Sequence, residues 1–135
     1  MADLQVIHGY RHLYRGLLRA VQYSKPARYT ALFQLRRAFR EEGATYDARG
    51  VWRTIRFLDA AARERGLEHR VLKNLLVIAW WRYGFDCKAT YKKALIDANT
   101  ERKKTDLEKY MSATAYAHYD KTIEMLNKSM GLCLR

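Results

Sequence analysis

The chain has 135 residues, which suits a single domain, and carries 26 Lys+Arg against 14 Asp+Glu for a formal net charge of +12. Hydrophobic residues make up 49%, enough to fill a core and too many for a compositionally disordered chain. The longest apolar run, Leu75 to Trp81, falls far short of the roughly 20 residues a membrane-spanning helix needs. The two cysteines, Cys87 and Cys133, lie far apart and outside any CxxC or CxxH spacing, which argues against a disulfide scaffold and a structural zinc site. A small, soluble, strongly basic protein from a reducing or thiol-tolerant compartment is expected.

The aliphatic residues point to helices. Leu and Ala number 33 together, Val and Ile only 10. Straight-chain and small side chains lose little rotamer freedom in a helix, whereas β-branched ones favour strands. The chain holds one proline, and no stretch alternates with period two. An all-α fold is predicted.

The first helix is expected from Asp3 to Tyr23, with Leu4, Ile7, Tyr14, Leu18 and Val21 forming its apolar stripe. Ser24 is placed as N-cap of a second helix with Pro26 in its first turn, burying Tyr29, Leu32, Phe33 and Phe39 and stopping at Gly43 as C′ residue. A third helix is expected after Thr45, with Trp52, Ile55, Leu58 and Ala62 inward and an end at Gly66. The fourth contains the Leu75–Trp81 run, apolar on all sides, and therefore needs cover from neighbours or from a partner before Gly84 ends it. Ala98 to Lys104 reads as a polar bend. Beyond it, Leu107, Met111, Ala115, Tyr119, Ile123, Leu126 and Met130 keep a helical rhythm, predicting a long amphipathic C-terminal helix. The division is thus a helical bundle over residues 1–85 and a helical extension over 86–135, packed on the bundle or on a partner.

Charge separates the same two parts. Residues 86–135 hold ten bases against seven acids, so +9 of the total falls in residues 1–85. The first forty residues hold seven arginines and one lysine against one acid, Asp3. Arg11, Arg15 and Arg19 recur every four residues, with His8 and His12 beside them, and Arg28, Arg36, Arg37 and Arg40 follow. Four-residue spacing puts side chains on one helical face. A solvated surface is the ordinary reading of a charge run, but one so poor in acids is better explained by an acidic partner that supplies the counter-charge.

Chemistry-bearing motifs are sparse. His8 and His12 stand at i,i+4 without an intervening glutamate or an evident third ligand, so no metal site is assigned. Asp3, Asp59, Asp86 and Asp120 form no paired-carboxylate pattern, and there is no P-loop, dinucleotide turn or Gly-x-Ser-x-Gly. A non-catalytic protein is predicted.

One segment carries a resemblance. His12-Leu13-Tyr14-Arg15-Gly16-Leu17-Leu18-Arg19-Ala20, followed by Phe39 within Arg36-Arg37-Ala38-Phe39-Arg40, resembles the signature of the mitochondrial LYR-motif (complex 1 LYR-like) family. That family pairs a Leu-Tyr-Arg tripeptide in its first helix with a downstream phenylalanine near the end of the second. The likeness covers roughly residues 5–85 and is nearest in wording to fungal-type or F1-ATPase-assembly members. It implies an antiparallel three-helix bundle, here extended by further helices, in the mitochondrial matrix. It also implies a partner, the acidic mitochondrial acyl carrier protein. No cofactor is bound directly; an acyl-4′-phosphopantetheine arm comes with that partner.

On this reading Leu13, Tyr14, Arg15, Arg19, Arg36, Arg37, Phe39 and Arg40 bind the carrier protein, and Leu17, Leu18 and Phe33 line a tunnel for the acyl chain. Arginine suits the rim, since its fork binds two oxygens at once. Tyr14, Leu18 and Phe39 also read as ordinary core residues, and the two roles are compatible. Gly16, which costs up to about 1 kcal/mol in a helix interior, reads either as room for close approach by another chain or as tolerated helix packing. The expected function is an adaptor: an assembly factor or accessory subunit of a large mitochondrial complex, with the mitochondrial ribosome or the F1 ATPase favoured. The rival is a basic RNA-binding protein of the mitochondrial ribosome that acts without carrier protein, its arginines on rRNA phosphates and its tyrosines stacked on bases. A peripheral membrane role for helix 1 ranks below both.

Overall fold

A computed structural model describes residues 2–83 and 105–134, and within them the fold is all-α. Helices α1 (Ala2–Ala20), α2 (Ala27–Arg40), α3 (Ala48–Arg63) and α4 (Leu67–Tyr83) precede a long α5 (Asp106–Met130). Neighbour relations close α1 to α4 into a ring: α1 packs on α2 and α3, and α4 packs on the same two helices from the other side. The bend expected at 98–104, Gly84 and Cys87 lie outside the described residues.

The α1–α3 seam is the closest-packed part. The buried arc of α1 is Gly9, Leu13, Gly16 and Ala20, spaced i, i+4, i+7, i+11. Against it stand Val51, Phe57, Leu58 and Ala61 of α3. A Cβ at Gly16 would sit 3.4 Å from a Leu58 methyl, at ordinary van der Waals contact, so a small residue suffices where the two helices meet. The stripe expected on α1 is therefore rotated. Leu4 and Ile7 are exposed, Tyr14 and Leu18 half-buried, and of the expected set only Val21 is buried. Small residues do the burying here, and a count of large apolar side chains does not register them.

The same kind of rotation corrects α2 and α3. In α2 the buried residues are Thr30, Ala31 and Leu35. Leu32 and Phe39 are half-buried, while Tyr29 and Phe33 face solvent. In α3, Leu58 is buried and Ile55 and Ala62 are half-buried as expected, but Trp52 is 58% exposed. Each residue advances about 100° around a helix, and Trp52 stands one step past the buried Val51. Its ring carries the Arg56 guanidinium at 4.9 Å instead.

Helix ends differ from expectation by a few residues. Ser24 does not cap α2. Its hydroxyl donates to the Val21 carbonyl at 2.8 Å, closing the end of α1, while Pro26 occupies the N-cap position without a side-chain bond. The α2 helix stops at Arg40, so Gly43 (φ +79°) serves the following loop rather than the C′ position. The α3 helix does begin after Thr45, at Ala48, with Asp47 as its cap accepting the Arg49 N–H at 3.0 Å. The α3 helix ends at Arg63, three residues before Gly66.

The later part of α5 and the tail after it pack on the bundle. Thr105 and Glu108 form a reciprocal capping box at the start of α5, and Gly131 ends it in the left-handed conformation (φ +64°). Ile123 and Leu126 pack against the core, and the tail after α5 turns back to bury Leu132 and Leu134 within it. Asn127 holds that tail through two bonds, accepting from the Leu134 N–H at 2.9 Å and donating to its carbonyl at 2.7 Å. Thr54, buried in α3, accepts the Cys133 N–H at 3.0 Å and donates to the Gly50 carbonyl at 2.7 Å. Toward its beginning α5 is less covered: Leu107, Tyr110 and Met111 are all exposed.

Candidate docking surface

The arginine stripe of α1 faces outward because the buried arc lies on the opposite side. Arg11, Arg15 and Arg19 are exposed, as are His8 and His12. Arg19 pairs with Asp59 of α3 at 3.3 Å. Both partners are substantially solvated, so this pair adds at most about 1 kcal/mol to stability.

The outward face of α2 gathers the rest. Tyr29, Phe33, Arg36, Arg37 and Arg40 follow an i, i+4, i+7, i+8, i+11 pattern, opposite the arc that carries Ala31 and Leu35. Together with Glu41 they line an open groove of 690 Å³. Phe33 is 41% and Tyr29 51% exposed, so aromatic surface reaches solvent among the guanidinium groups. The Arg28 guanidinium stacks 4.9 Å over the Tyr29 ring and donates to its hydroxyl at 3.0 Å. That hydrogen bond, with the charges of Arg28 and Lys25, holds the Tyr29 phenol below its ordinary pKa.

Between α1 and α2 an aromatic cluster forms. Phe39 meets Tyr10 edge-on with centroids 5.2 Å apart, and Tyr10 lies 6.2 Å from Tyr14. Tyr10 escapes a reading of the sequence that starts at the tripeptide, although it stands one helical turn before Tyr14. Leu17 and Leu18 are half-buried on the same helix.

The residues singled out in the sequence thus fall into three environments. Leu13 is a core residue at 7% exposure and offers no surface to a partner. Tyr14, Leu17, Leu18 and Phe39 are half-buried. Arg15, Arg19, Arg36, Arg37 and Arg40 are exposed. Phe33 belongs with the last group: it lines the α2 groove and not an interior tunnel, because it lies on the side of α2 opposite the core. Among the described residues no three His, Cys, Asp or Glu side chains converge as metal ligands, and no helix is long and apolar enough to cross a membrane. Comparison of the chain with protein-family models, with curated proteins and with solved structures found no match.

Proposed function

We propose that this chain is a non-catalytic, LYR-type adaptor that docks an acidic protein, the acylated mitochondrial acyl carrier protein, on the outward face of α2 and the adjoining stripe of α1. The observation that carries this reading is the α2 groove, where Phe33 and Tyr29 lie exposed among Arg36, Arg37 and Arg40. Clustered arginines with aromatic surface between them favour carboxylates and a phosphate, and the fork geometry gives two bonds per group. Steering by such a face raises the encounter rate with an acidic protein and lowers it for basic ones.

In this reading the acyl chain enters beside Tyr14, Leu17 and Phe39, whose half-buried side chains edge the α1–α2 seam. Each methylene removed from water contributes about 0.8 kcal/mol before the cost of ordering the chain. Leu13 supports the site from the core. The liganded adaptor then engages its client as an assembly factor or accessory subunit of a large mitochondrial complex in the matrix, with the mitochondrial ribosome or the F1 ATPase first among clients.

Purification from mitochondria with intact-mass analysis of the co-eluting material tests this. A small acidic protein bearing an acyl-phosphopantetheine mass is the expected companion. Its absence, with rRNA retained and lost steeply as salt rises, would overturn the adaptor reading in favour of an RNA-binding protein.

A further inference from the structure

Beyond its packing on α2 and α3, helix α4 faces α5 along one flank and an open groove along another. On the first, Leu75, Ile78 and Arg82 face Tyr119, Asp120 and Ile123 of α5. Arg82 makes a bidentate pair with Asp120 at 2.7 and 3.0 Å, and its guanidinium lies 5.0 Å over the Tyr116 ring. The Arg82–Asp120 pair thus ties α5 to this flank of α4 beside a cavity of 260 Å³. The second flank forms one wall of a groove of 860 Å³, whose other wall is the end of α1, the α1–α2 loop and the start of α2. Leu76, Val77, Trp80 and Trp81 line it at one end, with Val77 46% and Trp81 73% exposed. Lys73 and Arg70, one and two turns before Val77 on α4, line the other end with Arg65.

We infer that this groove receives an acidic amphipathic helix from a partner protein, at a surface separate from the α2 face. Charge complementarity names the occupant: no Asp or Glu is among the described residues lining the groove, while Arg65, Arg70 and Lys73 all do. The chain's own residues 84–104 hold six bases against three acids, so they do not supply the missing counter-charge. Length fits as well. From Arg70 to Trp81 is eleven residues, about 16 Å along the axis, the span of three helical turns. The partner helix places its acids on Arg70 and Lys73 and its apolar side chains on Val77 and Trp80, the mode in which grooves between helices take helical ligands. At the lip, Gln22 holds a positive φ of 53°, rare for a residue with a side chain, and contributes to the wall opposite α4.

The test uses Trp52→Phe in the full chain, which leaves Trp80 and Trp81 as its only tryptophans. Four synthetic helical peptides with glutamates in one turn and leucines over the next two, differing in spacing, are titrated against its fluorescence. A saturable blue shift is expected from the best-spaced peptide. Its affinity should fall at least tenfold with Val77→Asp and with Lys73→Glu, both exposed positions whose melting temperature should stay unchanged, and several-fold between about 50 and 300 mM salt. No shift from any of the four peptides overturns the inference. So does equal binding of a lysine-for-glutamate peptide, or a shift with phosphatidylglycerol vesicles and none with peptide. Arg36→Glu/Arg37→Glu/Arg40→Glu must leave the peptide shift intact; its loss would place the peptide on the α2 face and overturn the assignment here without touching the adaptor reading.

Discussion

The α1–α3 seam and the outward face of α2 use their residues in opposite ways. The seam buries small residues, with Gly16 against Leu58 and Ala20 in the same buried arc. The α2 face leaves large ones, Tyr29 and Phe33, partly exposed to solvent among arginines. The first arrangement stabilises the fold and offers a partner nothing. The second contributes little to the fold and keeps apolar and cationic surface available. The Leu13-Tyr14-Arg15 tripeptide crosses this divide, with its leucine in the core, its tyrosine half-buried and its arginine outside. A motif of three letters can therefore report packing and docking at once, and substitutions separate the two.

The sharpest way to break the comparison is at Leu58. It is 2% exposed and faces Gly16, so Leu58→Ala should cost 2–5 kcal/mol, a range set by how far the cavity collapses. Denaturant melts would read it, and an effect under about 1 kcal/mol would mean the seam is not the centre of the core. Asn127→Ala comes next. Its loss leaves the Leu134 N–H and carbonyl without their partners, so about 1–3 kcal/mol should be lost. Amide exchange at residues 132–134 should rise before that of α1.

Gly16→Ala sharpens the comparison with a gain. The added Cβ lands at ordinary contact distance from Leu58 and removes the helix cost of glycine, so stability should rise by up to about 1 kcal/mol. A larger side chain there should destabilise by about 1–3 kcal/mol through overpacking. A destabilising Gly16→Ala would show that the seam tolerates no Cβ at all.

The fold class was legible because the balance of Leu and Ala over Val and Ile is a property of the whole chain. Helix faces were less so. Periodicity located the apolar residues of α1 but assigned its interior to the largest of them, whereas close approach to Leu58 selects glycine and alanine. Phe33 and Trp52 show the same error from the other side: aromatic rings were read as core, and both stand exposed near arginines. The Thr105–Glu108 capping box is a local pattern that the sequence displays openly. Burial of Leu132 and Leu134 had no local signal. It depends on Thr54, 79 residues away from its partner Cys133. Of the docking residues, the exposed arginines followed from spacing and charge, while the separation of Phe33 from the interior required the position of α2 against its neighbours.

The smallest expected stability change is also the most informative one. Arg36→Glu/Arg37→Glu/Arg40→Glu alters only exposed positions, so melting should move by no more than about 0.5 kcal/mol per site. Affinity for the acylated acyl carrier protein, measured by calorimetry on the full chain, should fall by at least tenfold, because like charges then face the acidic partner. Unchanged melting with lost binding is the predicted result. Carrier-protein binding that survives the triple reversal, or its absence from the unaltered chain, would contradict the account.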